Sequence, residues 1–316
     1  MREGIPRMRA AFSHILKTVK ETVDLWLSTH AFQHAGALAF YTLFSLAPLL
    51  LVIIYIVGVV LGTEAARAEV STQVEALLGA QAATAVDEAV RGSRIDEAGL
   101  LPTLLGAGVL LFGATTVLAQ MQTSLNQFWG VTAKPSRSGL RVFVTTRLLS
   151  LGLVLIIGFL LLTSFVISMG LAAAIRFAEA WIPVPSLVVT SVDIAMSLLI
   201  TTLVFATIFK VLPDVELQWR DMWRGAWITA ALFVVGQFLI SLYLTHAAPA
   251  SAYGAAGSLV VVLFWVYYSS LILFFGAAFT RVSARNRGDP IVPKPAAVRV
   301  RTVVVEEAEG EEAKRE

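Results

Sequence analysis

One carboxylate, Asp193, sits a short way into the apolar run LVVTSVDIAMSLLITT. Ser186, Thr190, Asp193, Ser197 and Thr201 follow one another at spacings of 4, 3, 4 and 4, which stacks all five on one face of a helix. A carboxylate among hydroxyls in such a helix supports two kinds of chemistry. It can titrate or hydrate a polar pathway for a solute. It can also join hydrogen bonds between helices while snorkelling outward to water. Either way the stripe belongs against other helices or water, because a charge at mid-membrane costs about 2.5–3.5 kcal/mol.

A second stripe, His34, Tyr41, Ser45, Pro48 and Tyr55, recurs at spacings of 7, 4, 3 and 7. Pro48 withholds a backbone donor and loosens the preceding turn, and the Ser45 hydroxyl can bond a carbonyl freed there. The pattern reads as a kink facing the interior, or more boldly as a hinge for alternating access. His34 near the inner end reads as a hydrogen-bonded anchor rather than a proton carrier. A third polar set, Thr116, Gln120, Thr123 and Gln127, is spaced 4, 3 and 4 with Asn126 beside it. It lines a vestibule or simply leaves the membrane, with Trp129 marking the interface. The candidate pathway residues are therefore Tyr41, Ser45, Pro48, Asn126, Asp193, Ser197 and Thr201. In the connection at 246–256, which carries no formal charge beyond His246, Tyr253 and Gly254 with the following Gly257 are outer-turn candidates. A tight turn is the plainer form, and a short re-entrant segment is allowed where protein covers its backbone.

Other chemistries lack their residues. The chain has no cysteine, and its four histidines, at 14, 30, 34 and 246, show no metal-ligand spacing. No phosphate-binding Gly-x-x-x-x-Gly-Lys-Ser/Thr loop and no Gly-x-Ser-x-Gly elbow occurs. A net charge of +2, with no basic patch interleaved with aromatics, gives no sign of nucleic-acid binding. The expectation is a protein that is not an enzyme and carries no metal or cofactor. Its partners are membrane lipid and a lipid or small-molecule substrate, and a homo-oligomer is left open.

The elements that must position these residues are apolar helices. Six runs, at 37–61, 101–119, 143–171, 187–209, 226–245 and 257–280, are each near the ~20 residues needed to cross a bilayer. Only 15% of residues are charged. Segments that alternate sides across these runs hold 20 of the 24 Lys and Arg on one side. The positive-inside rule then places both ends in the cytoplasm of a multi-pass protein. No apolar core closely follows the basic start, so the first span itself is expected to direct insertion. Three outward and three inward spans permit an inverted repeat.

The fold class expected is an all-α polytopic membrane bundle of six transmembrane helices. Residues 1–36 form a cytoplasmic amphipathic helix that lies in the interface or docks on the bundle. Residues 37–282 form the membrane domain, with a small outer helical cap at 62–99. Residues 283–316 form a cytoplasmic, disordered tail, in which Pro290, Pro293 and Pro295 preclude a regular helix and 298–305 can make a brief strand.

Ordered motifs in this frame resemble a known family. Ala37-Leu38-Ala39-Phe40-Tyr41-Thr42-Leu43-Phe44-Ser45-Leu46-Ala47-Pro48 resembles the first-span signature of the YihY/BrkB family. Gly113-Ala114 through Asn126-Gln127-Phe128-Trp129-Gly130-Val131 resembles its second. Trp219-Arg220-Asp221-Met222-Trp223-Arg224-Gly225-Ala226 resembles the stretch before its fifth span. Tyr253-Gly254-Ala255-Ala256-Gly257-Ser258, followed by Leu263-Phe264-Trp265-Val266-Tyr267, resembles its last. The resemblance covers about residues 25–282 and implies a six-span bacterial inner-membrane protein. Members are often labelled virulence factor BrkB or ribonuclease BN, and some are connected with envelope-lipid export or serum resistance. The nuclease label finds no support in these residues. The resemblance thus implies a secondary transporter or flippase-like exporter of an amphipathic envelope component, or alternatively a non-transporting scaffold or envelope-integrity factor. Where the family carries Gly-Ala-Glu near the end of its last span, this chain has Gly276-Ala277-Ala278, so any mechanism using that carboxylate is in doubt.

Overall fold

The computed structural model of the chain describes residues 4–78, 84, 87, 100–134, 139–179, 186–247 and 257–300. Among the described residues eight helices carry the fold: α1 (Gly4–Ser28), α2 (Ala31–Leu61), α3 (Thr63–Leu78), α4 (Leu100–Trp129), α5 (Gly139–Glu179), α6 (Ser186–Val211), α7 (Trp219–Ala247) and α8 (Gly257–Asn286). Four short strands accompany them: β1 (Val131–Ala133), β2 (Val215–Glu216), β3 (Val292–Pro293) and β4 (Ala297–Arg299). The six expected apolar runs fall in α2, α4, α5, α6, α7 and α8. Among the described residues, Ile194–Val211, Trp219–Ile240 and Val260–Asn286 are long and apolar enough to cross a membrane. Large apolar side chains face outward along the bundle, with Phe159 65% and Phe238 69% exposed. Such a surface suits hydrocarbon and would be a liability in water.

α8 is the hub. It packs against α1, α2, α4 and α7, while α2 and α4 pack along each other. Against α7 the contact is reciprocal. The Thr229 hydroxyl donates to the Gly225 carbonyl on its own helix at 2.7 Å, and Thr280 donates to Gly276 at 2.7 Å. Each threonine then fills the space over the other helix's glycine. A Cβ at Gly225 would lie 1.8 Å from Thr280 Oγ1, and one at Gly276 would lie 1.8 Å from Thr229 Oγ1. Ala226, Ala230, Ala277 and Ala278 around them are buried. Small residues let two backbones approach where lipid supplies no hydrophobic drive between helices.

α1 divides into three sectors. Thr18 and Thr22 are buried on the side nearest α8. Trp26 Nε1 donates to the Leu271 carbonyl at 3.2 Å, and Glu21 meets Arg285 at 3.1 Å and Asn286 Nδ2 at 3.0 Å. Ile15, Leu16, Val19 and Leu27 form an exposed apolar arc, and Lys17, Lys20 and Asp24 lie beyond it. The helix is thus docked on the bundle and still offers an apolar side.

The tail departs from expectation. The sequence predicts disorder from 283, but α8 continues to Asn286, and residues 287–300 form a strap across the bundle end. β4 pairs antiparallel with β1 (Val131↔Arg299, Thr132↔Val298, Ala133↔Ala297), and β3 pairs with β2 (Val215↔Pro293, Glu216↔Val292). The fold is therefore not purely α. The prolines that forbid a helix are tolerated in two-stranded ribbons, where every strand is an edge. Arg287 pairs with the buried Asp221, anchoring the strap to the start of α7. Of the expected strand at 298–305, Val298 and Arg299 fall within β4, and 301–316 lie outside the described residues. Of the segment expected as an outer cap, Gly62, α3, Thr84 and Asp87 are described, with Asp87 paired to Arg67 at 2.7 Å; the rest of 62–99 lies outside the described residues.

Gly276→Ala should lower stability by about 1–3 kcal/mol through overpacking, read as thermal unfolding in detergent. Adding Thr229→Ala should recover part of that loss, because Oγ1 at 1.8 Å is gone while Cβ at 2.9 Å stays. Docking of α1 should depend on acidity. The Asn286 hydrogen bond, and then Arg285, holds the Glu21 carboxyl below its ordinary 4.5. A depressed carboxylate contributes above its unfolded value, and the contribution is lost as pH falls through the folded value. Hydrogen exchange in α1 should therefore rise below about pH 4, and Glu21→Gln should remove that dependence.

Candidate functional site

A cleft of about 1060 Å³ opens at the bundle end that carries the strap. The last turns of α4 form one wall with Gln122, Thr123, Asn126 and Gln127. Ser28, Thr29 and His30, at the junction of α1 and α2, form another. His30 takes a left-handed conformation (φ 55, ψ 46) that turns the chain from one helix into the next. β1, the start of α5 and Val300 close the sides, and Asp214 and Arg281 complete the lining.

Asp214 follows Pro213 in the turn between α6 and β2, and Asn126 grips it from two directions. Asn126 Nδ2 donates to Asp214 Oδ2 at 2.8 Å, while the Asp214 backbone N–H donates to Asn126 Oδ1 at 2.8 Å. Gln122 Nε2 reaches both carboxylate oxygens at 3.4 Å. The strap joins in, because Lys294 N–H donates to the Asp214 carbonyl at 2.9 Å. Lys294 Nζ donates to the Val211 carbonyl at 3.2 Å. Burial pushes the Lys294 ammonium below its ordinary 10.5, with Asp214 pulling the other way.

Across the cleft, the Arg281 guanidinium donates to the Phe128 carbonyl where α4 ends. Gly130 makes this arrangement possible. Its φ of 65 is left-handed, and a Cβ there would lie 3.1 Å from Arg281 Nη2. Beside the cleft, Phe128 and Phe274 stack at 5.0 Å, and His34 meets both edge-on at 5.9 and 6.0 Å. His34 Nδ1 lies 3.0 Å from Ser124 Oγ, so it is a hydrogen-bonded anchor between α2 and α4.

The sequence-predicted residues separate. Asn126 lies in the cleft with Thr123 and Gln127, but it serves Asp214 rather than joining Tyr41 and Ser45. Tyr41 is 39% exposed, and Ser45 is 2% exposed inside the bundle. Ser197 is exposed and Thr201 half-buried; among the described side chains of α6 the fully buried hydroxyl is Thr202, which donates to the Leu198 carbonyl at 2.7 Å. Pro48 and Asp193 fall within α2 and α6, and their side chains lie outside the described residues. Gly257 opens α8, whereas Tyr253 and Gly254 lie outside the described residues. Sequence reasoning missed Asp214, Gln122, Arg281 and Lys294. The Leu212-Pro213-Asp214 turn signal was the available cue for the first.

Among the described residues no group of three or more His, Asp or Glu could hold a metal ion. Long apolar helices and an outward apolar surface define an integral membrane protein. Residues 22–301 match the family described as Virulence factor BrkB, and the chain belongs to that family. A UPF0761 membrane protein of Psychromonas ingrahamii is 27% identical over 249 residues, covering 78% of this chain and 80% of that protein. One of Idiomarina loihiensis is 32% identical over 181 residues, covering 56% and 60%. One of Pseudoalteromonas translucida is 26% identical over 262 residues, covering 81% and 82%. No solved structure matches the chain.

Asn126→Leu should cost about 1–3 kcal/mol, because it strands the Asp214 carboxylate and backbone N–H in a half-buried turn. The loss should appear in thermal unfolding, together with faster hydrogen exchange in β2 and β3.

Proposed function

We propose that this protein is a six-span inner-membrane transporter or flippase-like exporter of an amphipathic envelope component, with no enzymatic activity. The observation that carries this reading is the polar cleft of about 1060 Å³ set into one end of an otherwise apolar bundle. The lysine and arginine excess supports a cytoplasmic position for that end and for both chain termini. The spans are α2, α4, α5, α6, α7 and α8. α1 lies in the inner interface, with its Ile15, Leu16, Val19 and Leu27 arc in lipid and Lys17 and Lys20 toward anionic headgroups. The cleft receives the polar end of the cargo from the inner leaflet. Asp193 on α6 tunes polarity or protonation along the route.

One observation favours a second reading, a non-transporting scaffold. Tyr41 and Ser197 lie on the surface, so these members of the α2 and α6 stripes do not line a common channel. In that case the cleft is a docking recess, and the hydroxyls deeper in the bundle only hold helices together.

Reconstitution separates the two. Vesicles containing the protein should move labelled lipids or small amphiphiles faster than empty vesicles, and Thr123→Trp, which fills the cleft, should slow them. Equal rates for protein-bearing and empty vesicles would sink transport. The chain has no native cysteine, so single substitutions report directly on water access. Thr123→Cys should react with a water-soluble maleimide. Reaction at Thr201→Cys as well supports a continuous pathway, and its protection supports the scaffold.

A further inference from the structure

The most telling atom in the cleft is one with nothing to bond. Gln122 is 6% exposed, lines the cleft, and its Oε1 is buried without a hydrogen-bond partner among the described residues. Its orientation is not arbitrary. Nε2 faces both oxygens of Asp214 at 3.4 Å, and a flipped amide would set oxygen against carboxylate. The orphan is therefore an acceptor, and its neighbour is a carboxylate whose Oδ1 receives only that long Gln122 contact among the described residues. A buried acceptor beside a negative charge calls for a donor that carries positive charge.

The other polar feature has the opposite character. Arg281 donates through Nη1 to Phe128 and through no other nitrogen to a described residue. Its Nη2 lies on the side of Gly130, where the missing Cβ leaves it room. A guanidinium presenting unused N–H groups in a cleft matches the oxygens of a phosphate. Val131, Ala133, Val142 and Val300 give the same cleft apolar wall, and its volume exceeds what a small polar group alone would fill.

We propose that the cleft binds a zwitterion that carries an ammonium and a phosphate. The ammonium lies against Gln122 Oε1 and Asp214, and the phosphate lies against Arg281. This deepens the transport reading and rests on it for the direction of travel. The zwitterion is either the headgroup of a membrane lipid or a free phosphoester. Occupancy is an equilibrium property, so it succeeds or fails independently of flux in vesicles.

The test is calorimetric titration of the purified full-length protein in detergent. The probes are O-phosphoethanolamine and a short-chain phosphatidylethanolamine, with short-chain phosphatidylglycerol, inorganic phosphate and ethylamine as controls. Both zwitterions should bind saturably and more tightly than either half alone. Tighter binding of the lipid identifies a headgroup site with acyl chains on the apolar wall, and equal binding identifies a site for the free phosphoester. Gln122→Leu is close in size and removes both the unpaired acceptor and the long Nε2 contacts to Asp214, so its unfolding midpoint should fall no further than that of Asn126→Leu. It should weaken both zwitterions about tenfold or more while leaving inorganic phosphate unchanged. Arg281→Gln should weaken the zwitterions and phosphate together. On the unmodified protein, ethylamine should compete with O-phosphoethanolamine where ethanol does not, which gives the same answer without a variant. No saturable binding of either zwitterion, equal affinity for phosphatidylglycerol, or unchanged affinity in Gln122→Leu would overturn the proposal.

Discussion

Two glycines and two threonines bring α7 against α8 at backbone distance, and α1, α2, α4 and α6 pack directly on that pair. In hydrocarbon every backbone group must be satisfied within its own helix, so association depends on fit rather than on expelling water. Thr229 and Thr280 meet both demands. Each returns its hydroxyl to the carbonyl four residues back, which removes a polar cost, and each lays its remaining atoms over a glycine on the other helix. With this crossing fixed, α8 presents separate faces to α1, α2 and α4, and its end carries Arg281 to the cleft and Arg285 and Asn286 to Glu21.

The strap shows how a membrane bundle can stiffen its wet end. Residues 287–300 add one strand to the connection after α4 and one to the connection after α6. Three chain segments far apart in sequence thereby become one rim. The buried Asp221, paired with Arg287, and Lys294 against the Val211 carbonyl fasten the rim to α7 and α6. Asp214 occupies the point where rim and α4 meet, so the two amides that hold it also fix the cleft's mouth. Geometry of this kind explains why the polar groups that matter lie at the bundle's end. Desolvation there is partial, and carboxylates and ammonium groups can be paired without crossing the full depth of lipid.

The family's four quoted motifs map onto structural tasks of different kinds. Asn126 in the second motif binds the turn at Asp214, and Gly130 in the same motif makes room for Arg281. Asp221 and Gly225 in the third serve the strap and the α7–α8 crossing. At Ala278, where the resemblance leads one to look for a carboxylate, the side chain is fully buried in the core. A charge there would need a partner that the surrounding apolar side chains do not offer.

Helix existence and placement were written in the residues, because a run of about 20 apolar side chains can satisfy lipid in only one way. The proline-rich break after the last helix was equally plain. Which polar residues meet was not. The α6 stripe drawn through Thr201 missed the buried hydroxyl by one position, since helical spacing gives a face but not the direction in which a neighbour lies. Asn126 was singled out, but Asp214, its partner 88 residues away, is an ordinary turn residue until the fold brings the two together. Disorder in 287–300 was inferred from prolines and charge, which report local preference. The strands there exist only because two distant loops offer unpaired edges. The sequence by itself determined that lipid is the solvent and where the helices run, since burial in hydrocarbon is a property of each segment alone. Only the tertiary structure decided the cleft, its orphan acceptor and its facing arginine, since complementarity is a property of segments brought side by side.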